Sequence, residues 1–423
     1  MQAFGKGNGL AYGLLGLPLA FVALPLYVIL PNYYAKEFGV PLAILGAILL
    51  GTRLFDAFID PLLGRLSDRL FARSANAVLQ AGVLAAVVLA IGFALLFFPQ
   101  VEAPNALIVW ATAMLMVTYA AYSFLSVSHQ SWGAMLGGNE AERSRIVAWR
   151  EALGLVGVVL ASVTPVAVGM PATTAIFFVA LVIGWLAWTR AVQPIAKKDA
   201  AAVPGAIWLP FKHSNFKRLL VVFMLNGTAS AVPATLVLFF IQDRLQAPSS
   251  MEPLFLGSYF LAAAVSIPVW LAIVKRIGLA RAWLCGMGLA IAVFSWATQI
   301  GSGQTTAFLI ICALSGVALG TDLALPGALL AGVIQSNGDS GKSEGAYFGW
   351  WNFAIKLNLA LAAGLALPLL GLFGYAPGVR SPDALQALVI AYCVLPCVLK
   401  LAASAALYFF IIQSPPKPLQ ATV

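Results

Sequence analysis

The sequence predicts an all-α polytopic membrane protein, with twelve transmembrane helices in two six-helix bundles. Three observations predict it. Of the 423 residues, 61% are hydrophobic and only 9% are charged, against about 25% charged in an ordinary soluble domain. The apolar stretches run for about twenty residues without period-two alternation, which is the length of a bilayer-spanning helix and about twice that of a barrel strand. A polar connection near the middle of the chain leaves six such stretches on either side.

A soluble fold needs a polar shell to cover its apolar interior, and this composition cannot supply one. Lipid can serve as the outer solvent instead, provided every backbone polar group is satisfied internally. Hydropathy places the spans near 11–32, 41–63, 76–98, 105–136, 147–169, 172–193, 217–241, 253–274, 281–300, 306–334, 345–372 and 384–412. Breaks between them carry turn chemistry, as at Pro31-Asn32, Phe98-Pro99 and Gly137-Gly138. The predicted organisation is a first bundle over 1–193, a cytoplasmic linker over 194–216 and a second bundle over 217–423. Two six-helix halves joined in this way are the plan of the major facilitator superfamily.

The net charge of +9 does not indicate nucleic acid, because its distribution follows membrane topology. With the N-terminus inside, seventeen basic residues fall in cytoplasmic segments, among them Arg65, Arg143, Lys197, Lys198 and Lys275, and three (Lys36, Arg244 and Arg380) fall outside. This bias puts both termini in the cytoplasm of a multi-pass protein of the inner (plasma) membrane. The first apolar run lacks a small-residue cleavage site, so no signal peptide is expected. Cys285, Cys312, Cys393 and Cys397 all lie in apolar stretches and read as packing residues.

Ionisable residues inside spans cost roughly 2.5–3.5 kcal/mol each on insertion scales, so each needs a reason to be there. The second span carries Arg53, Asp56 and Asp60, followed by Pro61. The two aspartates are four apart and share a helix face. Two like charges one turn apart repel, and such a pair can take up a proton or small cation and release it. The structural alternative is an Arg–Asp pair that only locks helices together. Lys356 in the eleventh span, within Gly349 to Lys356 and one turn after Asn352, calls for a cavity or a carboxylate partner. Asp322 in the tenth span reads either as a cavity residue or as a helix-packing hydrogen bond. The fourth span ends in a polar stretch, Tyr122 to Trp132, that contains His129 and Gln130. His129 reads as a titratable group or as a hydrogen-bonding packing residue. Arg150 reads as a cavity residue or as an anchor at the membrane edge. Asn226 sits in a small, helix-weakening stretch suited to a bent span or to close packing. No nucleotide-binding loop, metal cluster or nucleophile elbow occurs, so an enzyme is not expected and transport would draw on an ion gradient.

The segment Arg53 to Asp60-Pro61, followed by Gly64-Arg65-Leu66-Ser67-Asp68-Arg69, resembles the glycoside–pentoside–hexuronide:cation symporters, a branch of the major facilitator superfamily. Glu142-Arg143 through Trp149-Arg150, Gly320 through Pro326 and Gly349 through Lys356 agree with it, so the resemblance covers most of the chain. It implies a cation site at Asp56 and Asp60, with Arg150 and Lys356 at the sugar and cation sites. It also implies a conformational charge network of Asp68, Arg65, Arg69 and Arg143. The family's intervening asparagine is Ile59 here, its fourth-span aspartate is Ser126, and its first-span sugar-binding aspartate falls near Ala20.

The expectation is therefore a secondary active transporter, a cation-coupled symporter of a small organic solute. Sugar or glycoside is the first choice of cargo, and proton is preferred to sodium. Asp56 and Asp60 would bind the cation. Arg150, Lys356, Asn352, His129, Gln130, Asn226 and Asp322 would contact substrate or line the cavity. No cofactor or metal is required, and the expected partners are the solute and membrane lipid around a monomer. The alternatives are a lipid or drug transporter of the same fold and a non-transporting membrane sensor.

Overall fold

The computed structural model describes residues 4–101, 103–194, 206–376 and 378–413. The part of the expected linker at 195–205, including Lys197 and Lys198, lies outside the described residues, as does Lys417. The chain is helical, with α1 (Lys6–Gly13), α2 (Gly16–Leu24), α3 (Leu30–Glu37), α4 (Leu42–Arg73), α5 (Ala75–Phe97), α6 (Pro104–Met135), α7 (Glu140–Thr189), α8 (Ser214–Phe239), α9 (Glu252–Ile277), α10 (Leu279–Ala297), α11 (Thr305–Ser336), α12 (Glu344–Leu372), α13 (Pro382–Val389) and α14 (Leu395–Leu407).

Among the described residues, nine helices are long and apolar enough to cross a membrane. The twelve spans are nonetheless present, for reasons visible in the elements. α7 covers fifty residues and holds two spans, which part at Gly169 with φ 78° and ψ 168°, between Pro165 and Pro171. Only glycine adopts that conformation readily, and the two prolines deny the helix its donors on either side. α4 is 32 residues long, but its charged residues keep it from reading as a simple apolar helix. α12, of 29 residues, supplies the eleventh span. The first span is assembled from α1, α2 and α3 around a π-helical turn, Pro25–Ile29, and the twelfth from α13 and α14 around a π-helical turn, Ile390–Val394. Pro25 lacks a backbone N–H, so the ladder shifts register there and Leu30 bonds back to the Pro25 carbonyl.

Two compact units result. The first consists of 1–210 together with 337–353, and the second of 211–336 together with 354–423. In the first unit, buried aromatics such as Phe21, Phe93 and Phe177 form the core, with Phe93 and Phe177 ring centroids 4.7 Å apart. In the second, Phe240 stacks on Tyr392 at 4.3 Å. Large apolar side chains such as Phe58, Val166 and Leu261 are fully or largely exposed, as lipid-facing residues are.

Within the first unit, the end of α4 meets the start of α12 backbone to backbone. A Cβ on Gly345 would stand 2.1 Å from the Gly64 carbonyl oxygen. This approach lets the Asp68 carboxylate accept from the Gly345 and Ala346 amides at 2.6 and 2.9 Å. Those amides are unpaired donors at a helix N-terminus, which favours an anion.

Candidate functional site

Asp56 and Asp60, on α4 of the first unit, are 1% and 0% exposed. Ser123 of α6 donates its hydroxyl to Asp56 Oδ1 at 2.7 Å. The π-helical turn at Pro25 presents Tyr27 beside this pair, and the Arg53 guanidinium lies 4.7 Å from the Tyr27 ring centroid, within cation–π range. Tyr119 lies within electrostatic reach of Arg53 and Asp56. Tyr122 lies within such reach of Asp56, Asp60, Glu151 and Arg150. The first unit thus gathers three carboxylates, two guanidiniums and several phenols. Arg150 is half-buried, and its Nε donates to Glu151 Oε1 at 2.9 Å while its Nη2 contacts the same oxygen.

His129 is placed differently from the other candidates. It is 0% exposed. Its Nε2 meets the Tyr12 carbonyl at 2.8 Å, and the Tyr12 hydroxyl donates to the His129 carbonyl at 3.0 Å. A ring nitrogen facing a carbonyl must carry the proton, and Nδ1 is buried without a partner among the described residues. A second proton there would have no acceptor, so the geometry is that of a neutral packing histidine. Gln130 donates to Ser126 at 2.9 Å, and Asn352 is buried in the first unit.

Of the expected charge network, Asp68 is held by the α12 amides described above. Arg65 is within its electrostatic reach. Arg143 donates to the Gly138 carbonyl at 3.1 Å, and Arg69 is exposed. Beside Asp68 stands a carboxyl that the sequence reading missed. Glu344 is 0% exposed and opens α12 ahead of its span. Its Oε1 accepts from the Gly341 amide at 2.6 Å, and Oε2 is buried without a partner among the described residues. Burial pushes the Glu344 carboxyl up to about 7. Burial, and next the Glu344 charge, raise Asp68 well above the ordinary carboxylate range.

The second unit brings Asn226 and Asp322 together around a cation. Lys400 of α14, 4% exposed, donates to Asn226 Oδ1 at 2.8 Å and to Asp322 Oδ2 at 3.1 Å. Asn226 and Trp283 donate to Asp322 Oδ1 at 2.9 and 2.8 Å, and Ser230 donates to Oδ2 at 3.0 Å. Four donors from three helices, α8, α10 and α14, saturate this carboxylate. Lys356 is half-buried in the same unit. Lys400, Trp283 and Ser230 were missed as members of a site, as were Tyr27, Tyr119, Ser123 and Glu151 in the first unit. The signal for Lys400 was its charge within an apolar stretch, and for Glu151 its position next to Arg150. Among the described residues, no group of three or more His, Cys, Asp or Glu could hold a metal ion.

A family model described as MFS/sugar transport protein matches residues 9–414. An uncharacterized symporter of Bacillus subtilis, YjmB, is 24% identical over 86% of this chain and 84% of its own length. An Escherichia coli chain that bears the name of a sulfoquinovose importer is 24% identical over 95% of this chain and 89% of its own length. Among solved structures, an outward-facing bacterial homologue of the iron transporter ferroportin superposes with a TM-score of 0.70 at 16% identity, covering 96% of this chain and 98% of that one. The fucose:proton symporter of Escherichia coli gives a TM-score of 0.68 at 14% identity over 95% of this chain and 99% of its own.

Proposed function

Because the chain belongs to the MFS/sugar transport protein family, we propose that it is a cation-coupled symporter of a sugar or glycoside, with Asp56 and Asp60 as its cation site. The observation that carries this reading is the pair itself. Two carboxylates, 1% and 0% exposed, stand one turn apart on α4, and a lock between helices needs only one. Relatives named as symporters support coupling to a cation. The phenols of Tyr27, Tyr119 and Tyr122 and the Arg150–Glu151 pair of the same unit supply the donors, acceptors and ring faces that suit a polyol.

The coupling ion in this reading is the proton. A sodium ion needs several oxygen ligands, and the three side chains between the aspartates, Ala57, Phe58 and Ile59, offer none. A proton needs one carboxylate. Purified protein in de-energised vesicles should accumulate sugar when a pH gradient is imposed. A response to sodium alone at fixed pH would overturn proton coupling.

In the same reading the protein works as a monomer in the plasma membrane, with both termini cytoplasmic. A single cysteine at Ser302, between α10 and α11, should react with an impermeant reagent in intact cells. One at Asn139, ahead of α7, should not, and the reverse pattern would invert the topology.

A further inference from the structure

Every guanidinium in the candidate site of the first unit already has a partner. Both Arg150 donors that face Glu151, Nε and Nη2, meet the same carboxylate oxygen. The pair is partly exposed, at 17% for Arg150 and 24% for Glu151, so it can touch a solute, but it does so as a closed dipole. Arg53 lies over the Tyr27 ring, and Asp56 and Arg53 both act on that ring electrostatically. The cluster as a whole sets Arg53 and Arg150 against Asp56, Asp60 and Glu151, leaving one negative charge over. One coupling cation brings that sum to zero. Among these first-unit residues an anionic solute meets no surplus positive charge, and it would be desolvated there without a counter-ion. An uncharged polyol loses nothing of this kind, and it finds the half-buried Tyr27 and Tyr122 in the same unit.

We infer that Glu151 is a specificity-determining residue, and that by closing Arg150 it restricts the cargo to uncharged sugars and excludes sulfonated sugars and hexuronates. The inference rests on the symport reading above, which names the site but not the charge of what it carries. The discrimination works by exclusion: a carboxylate occupies the place an anionic substituent would take.

The test separates binding from gradient-driven uptake. Full-length protein is assayed for competition binding with a panel of neutral hexoses, pentoses and glycosides, and with glucuronate, galacturonate and a 6-sulfonated hexose. Uptake under a pH gradient is measured in parallel. The wild type should bind at least one neutral sugar and no anionic one. Glu151→Gln keeps an oxygen for Arg150 but removes the charge, and it should gain about tenfold or more in affinity for an anionic sugar, the scale of one charge-assisted hydrogen bond. Glu151→Asp keeps the charge and should remain blind to anions, which separates electrostatic exclusion from a simple loss of packing.

A wild type that binds hexuronate or sulfonated hexose as well as neutral sugar overturns the inference and leaves the symport reading intact. So does a folded Glu151→Gln protein that stays blind to anions. Neutral-sugar binding that never becomes gradient-driven uptake sinks the symport reading while the selectivity stands. Failure to bind either class overturns both.

Discussion

The Ser123 hydroxyl lies 2.7 Å from Asp56 Oδ1 and donates to it, across 67 positions of sequence, and so ties α6 to α4, the helix of the proposed cation site. This bond makes α6 a participant in whatever happens at Asp56. Ser123→Ala should lower gradient-driven uptake several-fold while leaving the protein folded, since one hydrogen bond to a charged group is worth about 1.5–3 kcal/mol. Ser123→Thr keeps the hydroxyl and should retain most of the activity. Equal losses in both variants would mean that the hydroxyl is not what matters.

Asp60→Asn should abolish concentrative uptake while leaving solute exchange or binding measurable. If Asp60 only locked helices, its loss would leave a buried charge unmatched at a cost of about 3–5 kcal/mol, and folding would fail with transport. The melting temperature of the purified variant therefore comes first. A well-folded Asp60→Asn protein that still accumulates sugar removes Asp60 from coupling.

Lys400 and Asp322 should behave as one unit. Lys400→Met alone strips the cation from a carboxylate already desolvated, and should destabilise by about 3–5 kcal/mol. Adding Asp322→Asn should recover most of that loss, because the amide no longer needs a counter-charge. A double-mutant cycle on detergent-solubilised protein measures the coupling directly. A double variant no more stable than Lys400→Met would show that Lys400 is held for another reason.

Glu344 predicts a pH dependence of stability with a definite sign. Its folded pKa is about 7 against an ordinary value of 4.5, so the folded state holds a proton that the unfolded chain releases. The stabilisation is complete below about pH 4.5 and is lost as pH rises through 7, amounting to an order of 3 kcal/mol. Asp68 is raised in the same direction and steepens the trend. Glu344→Gln should flatten the melting temperature between pH 5 and about 8. A slope unchanged by that substitution would place the titration elsewhere.

Much of this was legible in the sequence. Helix count and class follow from hydropathy over bilayer-length windows, which lipid enforces strongly. Asp56 and Asp60 stood out because a charge inside a span is costly wherever its partner is. The partners did not stand out. Lys400 and Asp322 are 78 residues apart, and no periodicity links them, so Asp322 read as an isolated anomaly and Lys400 was passed over. Tyr27 owes its position to a register shift at Pro25, and a proline marks where a helix is disturbed without saying which side chain turns inward. His129 shows the opposite limit. The polar stretch around it left a titratable group and a packing residue both open, while its surroundings are Tyr12, at 4.4 Å between ring centroids, and Trp188, at 5.6 Å.

The break at Gly169 bears on how the protein is made. The two spans of α7 are joined without an intervening polar loop: from Leu160 to Phe177 the chain carries no charged residue. A hairpin of that kind can enter the bilayer as a single object, because nothing hydrophilic has to be hauled through the hydrocarbon to turn the corner. The expected consequence is that the fifth and sixth segments insert as one unit. Charged residues introduced at Val166 or Val168 would burden that step during synthesis. Their cost would appear as a shortfall in membrane yield and misoriented chains, even where the finished fold could tolerate them.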